Sequence, residues 1–396
     1  MCENTFVRME RIRNSGINDA FVPTRPVSTN FFCGRNEEVE RIAESIVNPG
    51  AHVLLYGERG VGKTSLASHA CEQLLSHSLI ERFVSVGCNR SDKFEDIMRQ
   101  LFLKLGYTQE TKRSTSNTVG GGIAVATGSR TTSSEEDVYY DYSSPRWVAE
   151  HISDINMVVI VDEFDTIEDK REKEKFSQLI KILSDRGAKL SLLIVGIAVS
   201  ASDLLEGHMS VARSLTEVRL DRMSNEELQD IIRKGEERTG LQFEEVVKQR
   251  IVATSFGFPY FTHLLALKSA EEAVVSEVKV VTEDMLNDGL DKALDVNLQS
   301  FKDKYDNAIG SNETKRRVIY CCALLGSRVF SAEELRNKYF DTYKERIESV
   351  SVGNAIHNAL SETPDSILRR RKVGVYYFND PRMPVYIIMR HNQREK

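Results

Sequence analysis

The sequence predicts a doubly wound parallel α/β sheet, followed by an all-helical region and a small C-terminal module of three helices and a two-stranded ribbon. Three observations predict it. Apolar runs of strand length at 52–56, 157–161 and 190–197 alternate with helix-compatible segments, the pattern of strands buried on both faces. The first run passes directly into a glycine loop and then into a helix start. From Ser224 onward the periodicity becomes helical.

The chain has 396 residues, too many for one compact core, and divides by pattern into four parts: an extended lead-in (1–30), a sheet domain (31–221), a helical region (222–309) and a C-terminal module (310–396). No apolar run reaches the length of a membrane span, and the first thirteen residues hold no signal-peptide core. Six cysteines form no C-x-x-C pair and no metal spacing with histidine, so a reduced, cytoplasmic protein without structural zinc is expected. The net charge of −6 is uneven. From Ser311 to Lys396 there are 16 Lys and Arg against 10 Asp and Glu, which leaves −12 on the remainder. An acidic body argues against a general nucleic-acid coat, while the basic end permits a local contact.

In chain order, Pro23 and Pro26 lie in the lead-in, and Val39, Ile42, Ala43, Ile46 and Val47 then fall at helical spacing behind a candidate cap, Asn36. Pro49-Gly50 ends that helix, and the strand 52–56 delivers Gly57-Glu58-Arg59-Gly60-Val61-Gly62-Lys63-Thr64-Ser65. Residues 82–88 alternate as a strand, and Ser91 is a candidate cap for a helix running to Leu105. Residues 111–137, rich in Thr, Ser and Gly, carry no period and read as a flexible insertion; no Lys follows Gly120-Gly121-Gly122, which disfavours a second phosphate loop. The run 157–161 ends in Asp162-Glu163-Phe164-Asp165, and a charged helix, a buried strand at 190–197 and an edge strand at 217–220 follow. Ser224 to Glu227 fits a capping box, and helices to about Asp306 break at Gly240 and at Gly257-Phe258-Pro259. The last module should hold a helix through Leu325, a second capping box at Ser331 to Glu334 leading a longer helical stretch to about Leu360, and a ribbon over 367–378, the order of a winged helix.

The glycine loop carries the chemistry. Gly57, Gly62, Lys63 and Thr64 satisfy G-x-x-x-x-G-K-[ST], and with Glu58, Arg59, Gly60, Val61 and Ser65 they form a loop whose N–H groups, backed by a helix N-terminus, make an anion cradle. Lys63 is expected to reach the outer phosphates of ATP, and Thr64 to hold Mg²⁺ together with Asp162. Glu163 is placed to orient or deprotonate an attacking water.

Phe32-x-Gly34-Arg35, the glycine loop, Val158 to Asp165, the strand to Gly196, Leu220 to Leu228 and Gly257 to Leu265 occur in an order that resembles AAA+ ATPases of the Orc1/Cdc6-like group and the related STAND proteins. The resemblance spans about 31–390. It implies a P-loop NTPase core, a helical lid and a C-terminal winged helix, with Arg35 near the adenine and Pro259 packed on the base. In that group an arginine follows the lid glycine by three positions; here Tyr260 stands there, and the strand ending at Ile197 offers only Ser200 and Ser202 as polar sensors. Both departures favour the STAND side, with tightly held nucleotide and slow turnover. Arg213 is a candidate to reach a neighbouring subunit's nucleotide, or else an ordinary ion-paired residue. His263 either approaches the phosphates or packs within its helix. Arg369, Arg370, Arg371 and Lys372 on the ribbon suit duplex DNA, a solvated face or the acidic body. A homo-oligomer formed on ATP binding and a protein partner are the expected associations, with no membrane contact.

Overall fold

The strand before the glycine loop, β1 (His52–Gly57), is buried along its whole length, which is why its sequence shows no polar alternation. In the computed structural model, which describes residues 5–24, 32–107, 140–198, 200–205, 211–326, 329–357, 359–360 and 366–394, it lies inside a five-stranded parallel sheet. The others are β2 (Arg82–Gly87), β3 (Met157–Asp162), β4 (Ser191–Ile197) and β5 (Leu215–Leu220), in the order β2-β3-β4-β1-β5. Register aligns the carboxyl ends: Gly57 lies opposite Ile197 and Leu220, and Asp162 opposite Gly87. A site at that end is what a doubly wound sheet provides. The expected edge strand is indeed an edge, beside β1.

Alternation along the strands feeds two cores. Leu54, Tyr56, Val159, Val161, Leu192 and Ile194 face one side, covered by α5 (Phe94–Lys104), α6 (Pro145–Ile152) and α7 (Lys170–Asp185). Val53, Leu55, Val158, Ile160, Leu193 and Val195 face the other, covered by α3 (Asn36–Ile46) and α4 (Lys63–Ser76). The second core continues without a break into the helical region and the C-terminal module. α6, capped by Ser144, is a helix the sequence pattern did not bring out, and α5 starts at Phe94 with Asp96 accepting from Lys93 N–H, so Ser91 is not its cap. A short α8 (Ala201–Leu204) follows β4.

The helical region comprises α9 (Asn225–Thr239), α10 (Glu245–Ser255), α11 (Pro259–Val275), α12 (Glu283–Lys292) and α13 (Gln299–Ile309), with a π-helical turn at Ala293–Asn297. Ser224 Oγ accepts from Glu227 N–H while the Glu227 carboxylate accepts from Ser224 N–H, the reciprocal cap its sequence predicts. Gly240 closes α9 at φ +71°. The region is not all helix: β6 (Gln242–Phe243) and β7 (Val280–Val281) pair in parallel within it.

The C-terminal module runs α14 (Glu313–Leu324), β8 (Phe330–Ser331), α15 (Ala332–Tyr343), α16 (Ser349–His357), β9 (Leu368–Lys372), β10 (Val375–Phe378) and α17 (Met383–Arg394). The long helix expected up to Leu360 is two, because Lys344 ends α15 at φ +59°. The ribbon gains β8 as a third strand, in the order β8-β10-β9.

The lead-in is not extended. It holds α1 (Thr5–Asn14) and α2 (Ile17–Ala20), and Phe21 is fully buried against α9, where a Cβ on Gly235 would lie 2.1 Å from the Phe21 ring. The insertion expected at 111–137 lies outside the described residues. Among the described residues no helix is long and apolar enough to cross a membrane.

Candidate nucleotide-binding site

Two glycines shape the loop. Gly57 sits at φ +156°, and a Cβ there would meet the Leu220 carbonyl oxygen at 2.3 Å, so no side chain fits beneath the turn. Gly62, at φ +97°, is the N-cap from which α4 begins at Lys63. Lys63 is buried, and its Nζ donates to the carbonyls of Gly57 at 3.1 Å and Glu58 at 2.8 Å. Burial pushes its ammonium down to about 8, against the opposing pull of the Asp165 and Asp162 carboxylates.

The end of β3 meets the start of α4. Thr64 Oγ1 donates to Asp162 Oδ2 at 2.8 Å, and Asp162 Oδ1 accepts from Glu163 N–H at 2.8 Å. Glu163 itself is exposed and left-handed at φ +55°, a costly backbone for a residue other than glycine and one that collects at functional sites. Asp165, which the sequence offered only as the tail of the acidic run, accepts from Ile197 N–H at 2.8 Å and so ties the end of β3 to the end of β4. Ser200 and Ser202 bond each other, and Ser200 and Asp203 cap α8. Neither serine lines the cavity beside the loop.

That cavity, about 360 Å³, is walled by three parts of the chain. The sheet domain supplies Arg59, Gly60, Val61, Gly62, Lys63, Thr64, Ser65, Asp162 and Glu163; Pro259 and Tyr260 come from the helical region, and Arg382 from the C-terminal module. Gly57 and Glu58 do not line it: Gly57 lies under the turn, and the Glu58 carboxylate pairs with Arg222 at 2.9 Å. Pro259, first residue of α11, rests on the loop, 3.8 Å from where a Cβ on Gly62 would stand. Arg35 lines the cavity while held by Glu38, by Glu227 and by the Asp221 carbonyl, locking the start of α3 to the foot of α9. His263 lines it too, with Nδ1 accepting from Val22 N–H at 3.2 Å. Burial holds that imidazole down at about 4, hence neutral. Val22, Phe32, Met223 and Ile231, apolar residues from distant segments, also line it; Phe32 and Met223 lie in stretches the sequence singles out, whereas Val22 and Ile231 carry no local signal and read as ordinary core.

Arg213 is not brought to the site. It precedes β5, whose first residue lies opposite His52 at the amino end of β1, a strand length or roughly 20 Å from the loop. Its exposed guanidinium pairs with Asp185 at 3.0 Å.

Among the described residues no three His, Cys, Asp or Glu converge to hold a metal alone. Thr64 and Asp162 instead present one hydroxyl and one carboxylate in mutual contact. That donor set suits Mg²⁺, which keeps several waters and takes one or two protein oxygens alongside phosphate.

Comparison with solved structures gives the fold. The chain is similar to the Aeropyrum pernix ORC1 protein, solved in complex with DNA, at 15% identity and TM-score 0.52, covering 94% of this chain and 96% of that one. It is similar to a Walker-type ATPase of Pyrococcus abyssi at 14% identity and TM-score 0.50, covering 90% and 96%. Against CDC6P from Pyrobaculum aerophilum the identity is 15% and the TM-score 0.49, covering 96% and 98%. No curated protein matches the chain. The model of one family, Novel STAND NTPase 1, matches residues 22–269. With that match over more than half its length, and with the phosphate loop, Thr64 and Asp162 assembled at the carboxyl end of a parallel sheet, the chain belongs to the Novel STAND NTPase 1 family of P-loop NTPases.

Proposed function

We propose that the protein is an ATP-binding switch that hydrolyses ATP slowly and couples nucleotide state to self-assembly or to engagement of a protein partner. One observation carries this reading: a single cavity is walled by the sheet domain, the helical lid and the C-terminal module together. A ligand that touches all three parts binds their docked arrangement better than any other, and can therefore shift the balance between arrangements.

In this reading Lys63 exchanges its two loop carbonyls for the outer phosphates, and the loop N–H groups with the α4 N-terminus hold the rest. Thr64 and Asp162 would hold Mg²⁺, which neutralises phosphate charge when bound. Glu163 accepts the proton of the attacking water, its carboxylate aimed by the left-handed backbone that Asp162 Oδ1 fixes through the Glu163 N–H. The base rests among Val22, Phe32, Met223, Ile231 and Pro259, with Arg35 bracing that end. Arg213, a strand length from its own loop and paired with Asp185, would serve a neighbouring protomer on exchanging that carboxylate for phosphate. The test is ATP hydrolysis by the purified chain with Glu163→Gln as the blank: slow turnover that rises with protein concentration is expected, and hydrolysis no faster than the blank removes the enzymatic half of the reading.

A second reading, a DNA-binding ATPase, rests on β9, where Arg370, Arg371 and Lys372 are exposed beside the 90% exposed Val373 at the ribbon tip. A winged helix would present such a ribbon to a duplex. Affinity for duplex DNA that falls steeply with salt and is lost on replacing those three cations by Gln would select this reading. No binding at low salt would leave the partner switch.

A further inference from the structure

The C-terminal module reaches the phosphate loop at Arg382. Arg382, in the turn between β10 and α17, lies across the loop so closely that a Cβ on Gly60 would stand 2.8 Å from its Cδ and 3.7 Å from its Nε. Its guanidinium is 5.8 Å from the centroid of the Tyr260 ring and 5.3 Å from that of Phe301. Asp380 fixes its orientation by accepting from Nε at 3.0 Å and from Nη2 at 2.8 Å. A guanidinium has five N–H donors in a planar fork, so this carboxylate leaves donors to spare.

The charge inventory of the cavity gives that placement meaning. The lid contributes Met223, Ile231, Pro259, Tyr260 and His263, and none is cationic at neutral pH, because burial keeps His263 neutral. Arg35 is committed to Glu38, Glu227 and the Asp221 carbonyl. Outside the sheet domain, Arg382 is the one cation among the described residues that line the cavity.

We infer that Arg382 is a nucleotide-phosphate ligand delivered by the C-terminal module, standing over Tyr260 where the lid itself brings no arginine, and that Asp380 is its positioning residue. The inference rests on the ATP-binding reading above and gives it a mechanical link: losing the phosphate contact weakens the hold of the module on the loop.

The test compares ATP and adenosine binding to the full chain for wild type, Arg382→Met, Arg382→Lys, Asp380→Asn and Lys63→Ala. Arg382→Met keeps the stem that packs on Gly60 but removes the charge. It should weaken ATP about 10- to 100-fold, the worth of one charge-assisted hydrogen-bonding group, and leave adenosine affinity unchanged. Arg382→Lys should restore part of the loss, and Asp380→Asn should weaken ATP by less than Arg382→Met does. ATP affinity for Arg382→Met within twofold of wild type, with Lys63→Ala still defective, overturns the inference and spares the ATP-binding reading. Equal weakening of ATP and adenosine assigns Arg382 a purely structural clamp and also overturns it. A wild-type chain that binds no ATP overturns both.

Discussion

The two ends of the cavity are built differently. At the loop, one nine-residue stretch and the tip of one strand are tied by their own polar groups: Lys63 Nζ donates to the Gly57 and Glu58 carbonyls, Thr64 Oγ1 to the Asp162 carboxylate, and Glu163 N–H to Asp162 Oδ1. By contrast, the lining residues 22, 32, 223, 231 and 263 come from segments far apart in the chain, with a hydrogen bond donated by Val22 N–H to His263 Nδ1. A site that must hold charge is assembled locally, where strand and helix ends fix the donors. The rest of the lining is assembled from distant segments, so its arrangement depends on how those segments pack.

Substitutions can break this contrast one end at a time. The largest effect belongs to Lys63→Ala, which should cut ATP affinity about 100-fold or more, because it removes a buried charge from a desolvated site; equilibrium titration checks it, and retention of near-normal affinity would mean that the loop is not the phosphate site. Glu163→Gln should lower turnover about 100-fold while ATP affinity stays within a factor of about two, as measured by single-turnover hydrolysis beside binding.

At the other end, Gly235→Val should push Phe21 out of its seat on α9 and destabilise the lid by about 2 kcal/mol. Denaturant unfolding reads that loss, and adenosine affinity should fall with it while inhibition by inorganic triphosphate is unchanged. Equal loss of both ligands would show that the two ends are not separable.

The smallest effect is a pH dependence. Burial lowers Lys63 to about 8 from an ordinary 10.5, and phosphate binding requires its charge. ATP affinity should therefore hold below pH 8 and fall about tenfold from pH 7 to pH 9. The nucleotide-free chain should behave in the opposite sense: between 8 and 10.5 the unfolded state holds the proton that the folded state has released, so stability rises with pH across that window. A flat affinity profile would place Lys63 outside the phosphate contact.

Sequence reading reached as far as local chemistry does. The phosphate loop, the acidic end of β3, the capping boxes at Ser224 and Ser331 and the existence of the buried strands all follow from residue type at fixed spacing, because a glycine at positive φ, a helix cap or an all-apolar strand has a short-range cause. Asp165 was visible as a residue but not as a tie, since its partner Ile197 lies one strand away. The lead-in reads as extended because what holds Phe21 is a gap at Gly235, more than 200 residues later. The separation of Arg213 from the glycine loop of its own chain, the neutrality of His263 and the arrival of Arg382 at Gly60 were likewise decided only in the folded molecule. Burial and long-range packing set those properties, and neither is a function of neighbouring residues alone. What the sequence by itself determined is a phosphate-binding element on a parallel sheet; what tertiary structure decided is which distant residues close over it.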